Sequence, residues 1–135
     1  MFSHEIQLRI RYEHTDRMGY CYYGNYPSFY EAGRTEMMRD LGMSYRDLED
    51  SGILMPVINM NIEYHSPAFY DDLITVRTIL KKLPSSRIFF DYEIYNQQGK
   101  LINSATTTLV FLNAQTNKPQ RVPEFFLNKI AEKFR

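Results

Sequence analysis

The sequence predicts an α+β domain in which one long helix packs against an antiparallel sheet of about five strands. Three observations lead to this class. Residues 4–12 alternate polar and apolar side chains, which is the period of a half-buried strand. Residues 25–42 carry apolar side chains at three- and four-residue steps, which is the period of a helix with one buried face. The remaining strand-like runs are joined by short loops, which favours antiparallel pairing.

The first strand is predicted over residues 4–12, which read H-E-I-Q-L-R-I-R-Y. Its apolar face is expected to carry Ile6, Leu8, Ile10 and Tyr12. Gly19 and Gly24 then interrupt the alternation, so a loop is expected between this strand and the helix.

The long helix is predicted to begin at Asn25 or Tyr26, because Pro27 then falls at a first-turn position where its missing N–H costs nothing. Gly42 is a plausible C-terminal stop. Gly33 lies on the apolar face, where glycine costs about 1 kcal/mol relative to alanine. Close approach of another backbone would explain it, so the helix is expected to lie tight against the sheet.

The rest of the chain predicts a short helix, four more strands and a C-terminal helix. The short helix covers 44–51, with Ser44 as its cap and Asp47 completing a near capping box. The strands are predicted at 53–64, 73–83, 87–95 and 101–112, and Pro123 opens the last helix. Pro56 interrupts the first of these strands, which favours a sheet edge or a bulge there.

Composition limits the class of protein. A chain of 135 residues fits one domain, predicted over 1–135. Sixteen basic and sixteen acidic residues give a formal net charge of zero, which argues against a nucleic-acid partner. A single cysteine excludes an internal disulfide, and neither a signal-peptide core nor a membrane span is visible. We therefore expect a cytoplasmic protein with no membrane partner.

Most reactive side chains fit no known catalytic spacing. The three histidines are far apart in sequence and no C-x-x-C is present, so neither a metal nor another cofactor is predicted. Cys21 could be a nucleophile, but a lone cysteine is more often a small buried hydrophobe. An aspartate in a loop often has only a structural role, in which its side chain accepts a hydrogen bond from a nearby backbone N–H. For Asp16 this structural role is the alternative to a catalytic role.

Two features favour chemistry at Asp16. It lies between a strand and the N-terminus of the long helix, where free N–H groups and the helix dipole favour an anion. The neighbouring glycines would let backbone approach a ligand closely. A carboxylate can attack a thioester or activate water, and amides can hold the oxyanion that forms. The loop therefore suits thioester cleavage.

Residues 12–34, which read Y-E-H-T-D-R-M-G-Y-C-Y-Y-G-N-Y-P-S-F-Y-E-A-G-R, resemble the D-x-x-G signature and helix start of hotdog-fold acyl-CoA thioesterases, specifically the 4-hydroxybenzoyl-CoA thioesterase-like group. The later S-P-A-F-Y-D-D-L-I-T-V segment resembles the strand that follows in that family. The resemblance implies a hotdog fold, in which a five-stranded antiparallel sheet wraps around one central helix. It also implies an acyl-CoA substrate and assembly edge to edge into a homodimer or homotetramer.

The resemblance assigns roles to individual positions. Asp16 matches the catalytic carboxylate, acting as nucleophile or general base, and Tyr23 matches the position whose backbone N–H polarises the thioester carbonyl. Substrate-binding positions are expected at Tyr12, His14, Gly19, Tyr22 and Asn25. Relatives often keep an acid where this chain has His14, which leaves the proton-handling partner open between His14 and another group.

Cations near the turn at residues 84–86, chiefly Lys82 and Arg87, are candidates to bind the CoA phosphates, although solvated charges at strand ends are the alternative. Arg34 and Arg39 are expected to pair with acidic residues along the long helix. Three rival functions remain open. One is a hotdog module that binds an acyl-CoA or acyl-carrier thioester without cleaving it. The second is a hotdog dehydratase, which the absence of histidine from the long helix disfavours. The third is a purely structural oligomeric protein.

Overall fold

The computed structural model describes residues 1–134; Arg135, the last residue of the predicted domain, lies outside them. The long strands are β1 (Phe2–Arg9), β3 (Val57–Tyr64), β4 (Leu73–Leu80), β5 (Arg87–Tyr95) and β6 (Leu101–Asn113). Two-residue strands, β2 (Ile53–Leu54) and β7 (Pro119–Gln120), accompany them. The helices are α1 (Tyr26–Asp40), α2 (Tyr45–Asp50) and α3 (Glu124–Lys133).

All strand pairs are antiparallel, and the long strands follow the order β1-β4-β5-β6-β3. The short strands β2 and β7 also pair with β6. The predicted α+β hotdog fold is thus confirmed. The strand predicted over 53–64 is divided into β2 and β3, and β7 is a short strand that the sequence pattern did not indicate. Among residues 1–134, β3 pairs only with β6 and forms an edge of the sheet. Pro56 separates β2 from β3, and a register shift follows between Val57 and Asn59.

The predicted first strand extends too far. β1 ends at Arg9, and Tyr12 lies in a one-turn 3₁₀ helix, Tyr12–His14, with 78% of its surface exposed. Ile10 is still fully buried, but beyond it the chain leaves the sheet. Alternation alone does not show where a strand loses its pairing partner, and β4 offers none beyond Leu73, which pairs with Arg9.

Close packing of α1 against the sheet explains Gly33. A Cβ at this position would lie 2.6 Å from Thr78 Oγ1 and 3.0 Å from Val76 Cγ1. The expected close approach is therefore confirmed, but the neighbours are side chains of β4 and not a second backbone. The rest of the buried face of α1 consists of Tyr26, Phe29, Tyr30, Arg34, Met37 and Met38.

Arg34 corrects one expectation. It is only 6% exposed, and its guanidinium donates to two phenol oxygens, Tyr45 Oη at 2.8 Å and Tyr92 Oη at 3.1 Å. Arg39, by contrast, pairs with Glu36 as predicted. The phenol of Tyr92 continues the network to Thr107 Oγ1 at 2.7 Å. A polar network therefore crosses the core between α1 and the sheet.

Candidate active site

The loop between β1 and α1 is fixed to the segment that precedes β4. Within the loop, Thr15 and Cys21 form an isolated antiparallel bridge. Tyr20 forms a second bridge with Phe69, and the Cys21 N–H donates to Ala68 O at 2.7 Å. The loop is thus held by backbone hydrogen bonds at its centre, which gives the side chains around it defined positions.

Asp16 occupies the tight turn inside this loop. Its Oδ1 accepts a hydrogen bond from the Met18 N–H at 2.9 Å, and its carbonyl accepts from the Gly19 N–H at 3.0 Å. Gly19 has a φ of +85°, a conformation that favours glycine because a side chain would be strained there. The turn role foreseen for this aspartate is therefore present. It uses one carboxylate oxygen, and within residues 1–134 no donor bonds the other.

A one-turn 3₁₀ helix, Tyr23–Asn25, leads directly into α1. The carbonyl of Tyr22 accepts from the Asn25 N–H at 3.0 Å, and the carbonyl of Tyr23 accepts from the phenol of Tyr64 at 3.0 Å. The N–H groups of Tyr23 and Gly24 donate to no acceptor in the described part of the chain. Two neighbouring peptide N–H groups are therefore available at the start of α1, where the helix dipole favours negative charge.

His14 and Asn25 shape this turn. The carbonyl of His14 accepts from the Tyr22 N–H at 2.8 Å and from Asn25 Nδ2 at 2.7 Å. The His14 ring accepts from the Arg11 N–H through Nδ1 at 2.8 Å and packs edge-on against Phe29, with centroids 5.2 Å apart. These contacts tie the loop to the start of the helix, so both residues have a structural function here.

Two depressions meet at Asp16. The first has a volume of about 370 Å³ and is lined by Asp16, Met18, Tyr20, Cys21, Tyr23, Tyr26, Tyr64, His65, Ser66 and Pro67. The second has a volume of about 620 Å³ and is lined by Tyr12, Glu13, Thr15, Asp16, Arg17, Gly19 and Tyr70. Asp16 is the one residue common to both. A molecule with two dissimilar halves can therefore lie across it, with the bond between those halves beside the carboxylate.

Cys21 lies in the wall of the first depression but is 4% exposed. Burial raises the pKa of its thiol above the ordinary value. A thiol in this state is protonated at neutral pH, and the thiolate is the nucleophilic form. The structure therefore places Cys21 as a small packing residue, the alternative that the sequence favoured.

The substrate-binding positions predicted from the sequence are divided between different places. Tyr12 and Gly19 line only the second depression, where Tyr12 packs edge-on against Tyr70 with centroids 5.9 Å apart. Tyr22 lies outside both depressions and packs against Tyr23. His14 and Asn25 likewise line neither depression. The expected aromatic wall at Tyr12 is thus on the other side of Asp16 from the aromatic cavity.

Lys82 and Arg87 are not brought to Asp16 within one chain. Lys82 follows β4 and places its ammonium over the ring of Phe89, 4.2 Å from the centroid. Arg87 begins β5. The opposite end of β4 pairs with Arg9, next to the loop of Asp16, and a strand of eight residues is about 23 Å long. Within one chain, Lys82 and Arg87 therefore lie far from Asp16, and the structure does not support their predicted contact with CoA phosphates beside this site.

Several residues of the first depression were not predicted as site residues. Tyr64, His65, Ser66 and Pro67 come from the end of β3 and the segment after it, and Tyr26 is the first residue of α1. Only two of these features were visible in the sequence, the S-P pair at 66–67 and the aromatic residue at the helix start. The first is equally typical of a turn, and the second of a core residue. These residues come together because β3 ends opposite the start of α1, which is a feature of the tertiary structure.

Over residues 1–134, no group of three or more His, Cys, Asp or Glu side chains is arranged to hold a metal ion. No helix in the same range is long and apolar enough to cross a bilayer.

Known proteins resemble this chain over most of its length. A family model described as the thioesterase-like superfamily matches residues 10–130. YneP of Bacillus subtilis is 35% identical over 84% of this chain and 82% of its own length. The acyl-CoA thioester hydrolase YbgC of Escherichia coli is 32% identical over 87% of each chain.

Among solved structures, the DHNA-CoA thioesterase of Staphylococcus aureus superposes with a TM-score of 0.89 and 34% identity, over 99% of this chain and 89% of that protein. These matches confirm the resemblance to hotdog-fold acyl-CoA thioesterases. The chain is a thioester hydrolase, and it belongs to the thioesterase-like superfamily.

Proposed function

We propose that this protein hydrolyses an acyl-CoA thioester to a free acid and CoA, with Asp16 as nucleophile or general base and the Tyr23 N–H as oxyanion donor. One observation carries the proposal: Asp16 lies where the two depressions meet, and Tyr23 lines the first of them with its N–H unbonded. A thioester placed across Asp16 would have its acyl part and its thiol part in different depressions.

Two routes fit these groups. In the first, a carboxylate oxygen of Asp16 attacks the carbonyl carbon, the C–S bond breaks and the CoA thiolate leaves to take a proton from water. Water then hydrolyses the mixed anhydride and regenerates the carboxylate. In the second, Asp16 removes a proton from water as the water attacks, and that proton passes to the leaving thiolate. In both, negative charge develops on the carbonyl oxygen, which the N–H groups at the start of α1 would stabilise.

The proposal includes assembly and location. The outer edge of β3 has no pairing strand in the part of the chain that the structure describes, and exposed edge strands favour association with another chain. A homodimer or homotetramer formed through this edge would remove the exposed edge. We also place this single thioesterase domain in the cytoplasm, since Cys21, its one cysteine, is a free thiol as expected of a reducing compartment.

Replacing Asp16 by Asn tests the proposal. Asn can still accept the Met18 N–H through its carbonyl oxygen, so the turn and the melting temperature should be retained. Asn can neither attack the carbonyl nor take a proton, so kcat on the best substrate of a short, medium, long and aromatic acyl-CoA panel should fall at least ~100-fold. Thiol release gives the rate.

Asp91→Asn is the matched control, because Asp91 lies on β5, pairs with Lys81 and lines neither depression at Asp16. Its kcat should stay near that of the wild type. An Asp16→Asn rate within about threefold of wild type, roughly 0.7 kcal/mol in barrier, would overturn the assignment of Asp16. Tight CoA binding by the wild type without any thiol release would instead favour a binding module.

A further inference from the structure

Tyr64 connects the edge strand to the turn that precedes α1. It is the last residue of β3 and is 49% exposed. Its phenol donates to the carbonyl of Tyr23 at 3.0 Å, 41 positions earlier in the chain. Its ring packs edge-on against Tyr23 and Tyr26, with centroids 6.4 and 5.4 Å apart. A half-exposed side chain at a strand end therefore makes three contacts, all with the start of the helix.

No other group of the sheet bonds this turn. Among residues 1–134, the remaining hydrogen bonds of residues 22–25 run to His14, to Cys21 Sγ, to Ser28 or within the turn itself. The loop that contains His14 and the helix that contains Ser28 are both neighbours of the turn in sequence. The hydrogen bond from the Tyr64 phenol thus fixes the turn relative to the sheet. It also fixes the turn relative to the first depression, which Tyr23 and Tyr64 both line.

The peptide geometry makes this bond relevant to the unbonded N–H groups. A trans peptide is planar, and its C=O and N–H point in opposite directions. The Tyr22 carbonyl shares a plane with the Tyr23 N–H, and the Tyr23 carbonyl shares the next plane with the Gly24 N–H. The Asn25 N–H holds the first carbonyl and the Tyr64 phenol holds the second. Bonding at a carbonyl also polarises the N–H of the same peptide.

We infer that Tyr64 is a positioning residue for thioester hydrolysis: its hydroxyl holds the carbonyl of Tyr23, so that the Gly24 N–H of the same peptide keeps its orientation beside the Tyr23 N–H while the oxyanion forms. This inference rests on the proposed function, because only thioester hydrolysis forms an oxyanion for the turn to bind. Preorganised donors are effective because they need no reorientation as charge develops. A turn held only by its sequence neighbours would have to be ordered during the reaction.

The Tyr64→Phe variant separates the hydroxyl from the ring. Phenylalanine keeps the edge-on contacts with Tyr23 and Tyr26, and since the phenol is at an exposed position, the melting temperature should change little. We expect kcat to fall about tenfold with KM within about twofold, since small misplacements of catalytic groups can cost up to ~100-fold. Tyr95→Phe is the matched control, because Tyr95 lies at the end of β5 and lines neither depression; its kinetics should match wild type.

A second measurement on the free protein does not depend on activity. Backbone ¹⁵N order parameters at Tyr23 and Gly24 should be near ~0.85 in the wild type and fall below ~0.6 in Tyr64→Phe, since these values mark rigid and flexible backbone. The Tyr95→Phe variant should keep the wild-type values. Loss of order at the turn together with the loss in kcat is the result that supports the inference.

The outcomes separate this inference from the proposed function. If Asp16→Asn abolishes turnover but Tyr64→Phe keeps kcat within twofold of wild type, the role of Tyr64 alone is overturned. Unchanged order parameters in Tyr64→Phe overturn it as well, even with a lower kcat. A wild-type protein that hydrolyses no member of the acyl-CoA panel overturns the proposed function and, with it, the role of Tyr64.

Discussion

The N-terminal turn and the middle of α1 use the same kinds of residue in opposite ways. In the middle, the phenols of Tyr45 and Tyr92 accept from the buried Arg34, and the phenol of Tyr30 donates to Asn103 Oδ1. At the N-terminal turn, Tyr23 is 62% exposed and its N–H is unbonded. In the middle of α1, Arg34 and the buried phenols have protein partners, although Asn103 Nδ2 has none among residues 1–134. At the turn, the proposed oxyanion donor is left without a partner in the same range.

The two regions also differ in how glycine is used. Gly33 and Gly24 both lack room for a Cβ. At Gly33 the obstacle is the buried face of β4, which has no space to move. At Gly24 it is the ring of Tyr22, 2.5 Å from the added Cβ, and that ring is 44% exposed. The middle of the helix is therefore fixed by packing, and the turn by hydrogen bonds. Variants in the two regions should separate stability from activity.

The largest effect on stability is expected from Arg34→Ala. The change leaves the phenols of Tyr45 and Tyr92 without their donor and opens a cavity beside them. Losing one partner of a buried polar network costs about 3 kcal/mol or more in unfolding free energy. Urea denaturation measures this loss, and kcat of the folded fraction should be retained.

Arg39→Ala is the control for Arg34, because Arg39 is an exposed cation on the same helix that pairs with Glu36. Exposed pairs contribute little, so its stability should change by no more than about 0.5 kcal/mol. A loss below about 1 kcal/mol for Arg34→Ala would contradict the view that the phenol network stabilises the middle of α1.

Gly33→Ala should have the next largest effect. Overpacking against Thr78 and Val76 costs about 1–3 kcal/mol, part of which the better helix propensity of alanine offsets. We therefore expect a net loss of about 1–2 kcal/mol. Adding Thr78→Ala removes the nearest atom, so the double variant should be more stable than the sum of the two single changes predicts, as a double-mutant cycle would show.

Gly24→Ala is the comparison at the turn. The Tyr22 ring can move into solvent, so unfolding free energy should change by less than about 0.5 kcal/mol. Equal losses at the two glycines would show that the turn is packed as tightly as the helix middle, and the contrast between the two regions would then be wrong.

Stability should also fall at alkaline pH. Burial raises the pKa of the Tyr30 phenol well above its ordinary value, and it raises that of Tyr26 as well. The folded state then holds these protons more tightly than the unfolded state. The stabilisation is complete below the unfolded pKa of about 10 and is lost as the pH rises through the folded pKa, by roughly 1 kcal/mol for each phenol at pH 11.

Urea denaturation between pH 7 and pH 11 measures this dependence. Tyr30→Phe removes one of the buried phenols whose pKa is raised, so its stability should fall less steeply with pH than that of the wild type. A Tyr30→Phe curve parallel to wild type would show that the buried phenol does not contribute.

Much of the fold could be predicted because local patterns determine it. The strand β5 was predicted with its observed bounds, and Ser44 and Asp47 form the predicted capping box of α2. Gly33 on the apolar face of α1 predicted its close packing against the sheet. The end of β1 was placed too late, because the loss of a pairing strand leaves no trace in the alternation of side chains. The partners of Arg34 were missed since Tyr92 is 58 positions away in sequence.

The site was predictable in part for the same reason. Asp16 and Tyr23 lie within one loop, so their spacing was visible in the sequence. Tyr64 and His65 reach the depression from another strand, and no local pattern shows which strand ends opposite the helix start. Lys82 and Arg87 were proposed from charge alone, and charge says nothing about which end of the sheet a residue occupies.

The unbonded N–H of Tyr23 has a consequence for how the site tolerates mutation. A donor that belongs to the backbone is present whatever side chain the codon specifies, except proline. Under the proposed mechanism, an alanine scan would therefore record position 23 as dispensable although its amide takes part in the reaction. The neighbouring wall residues can vary to fit a different acyl group, while the donor stays constant from one variant to the next.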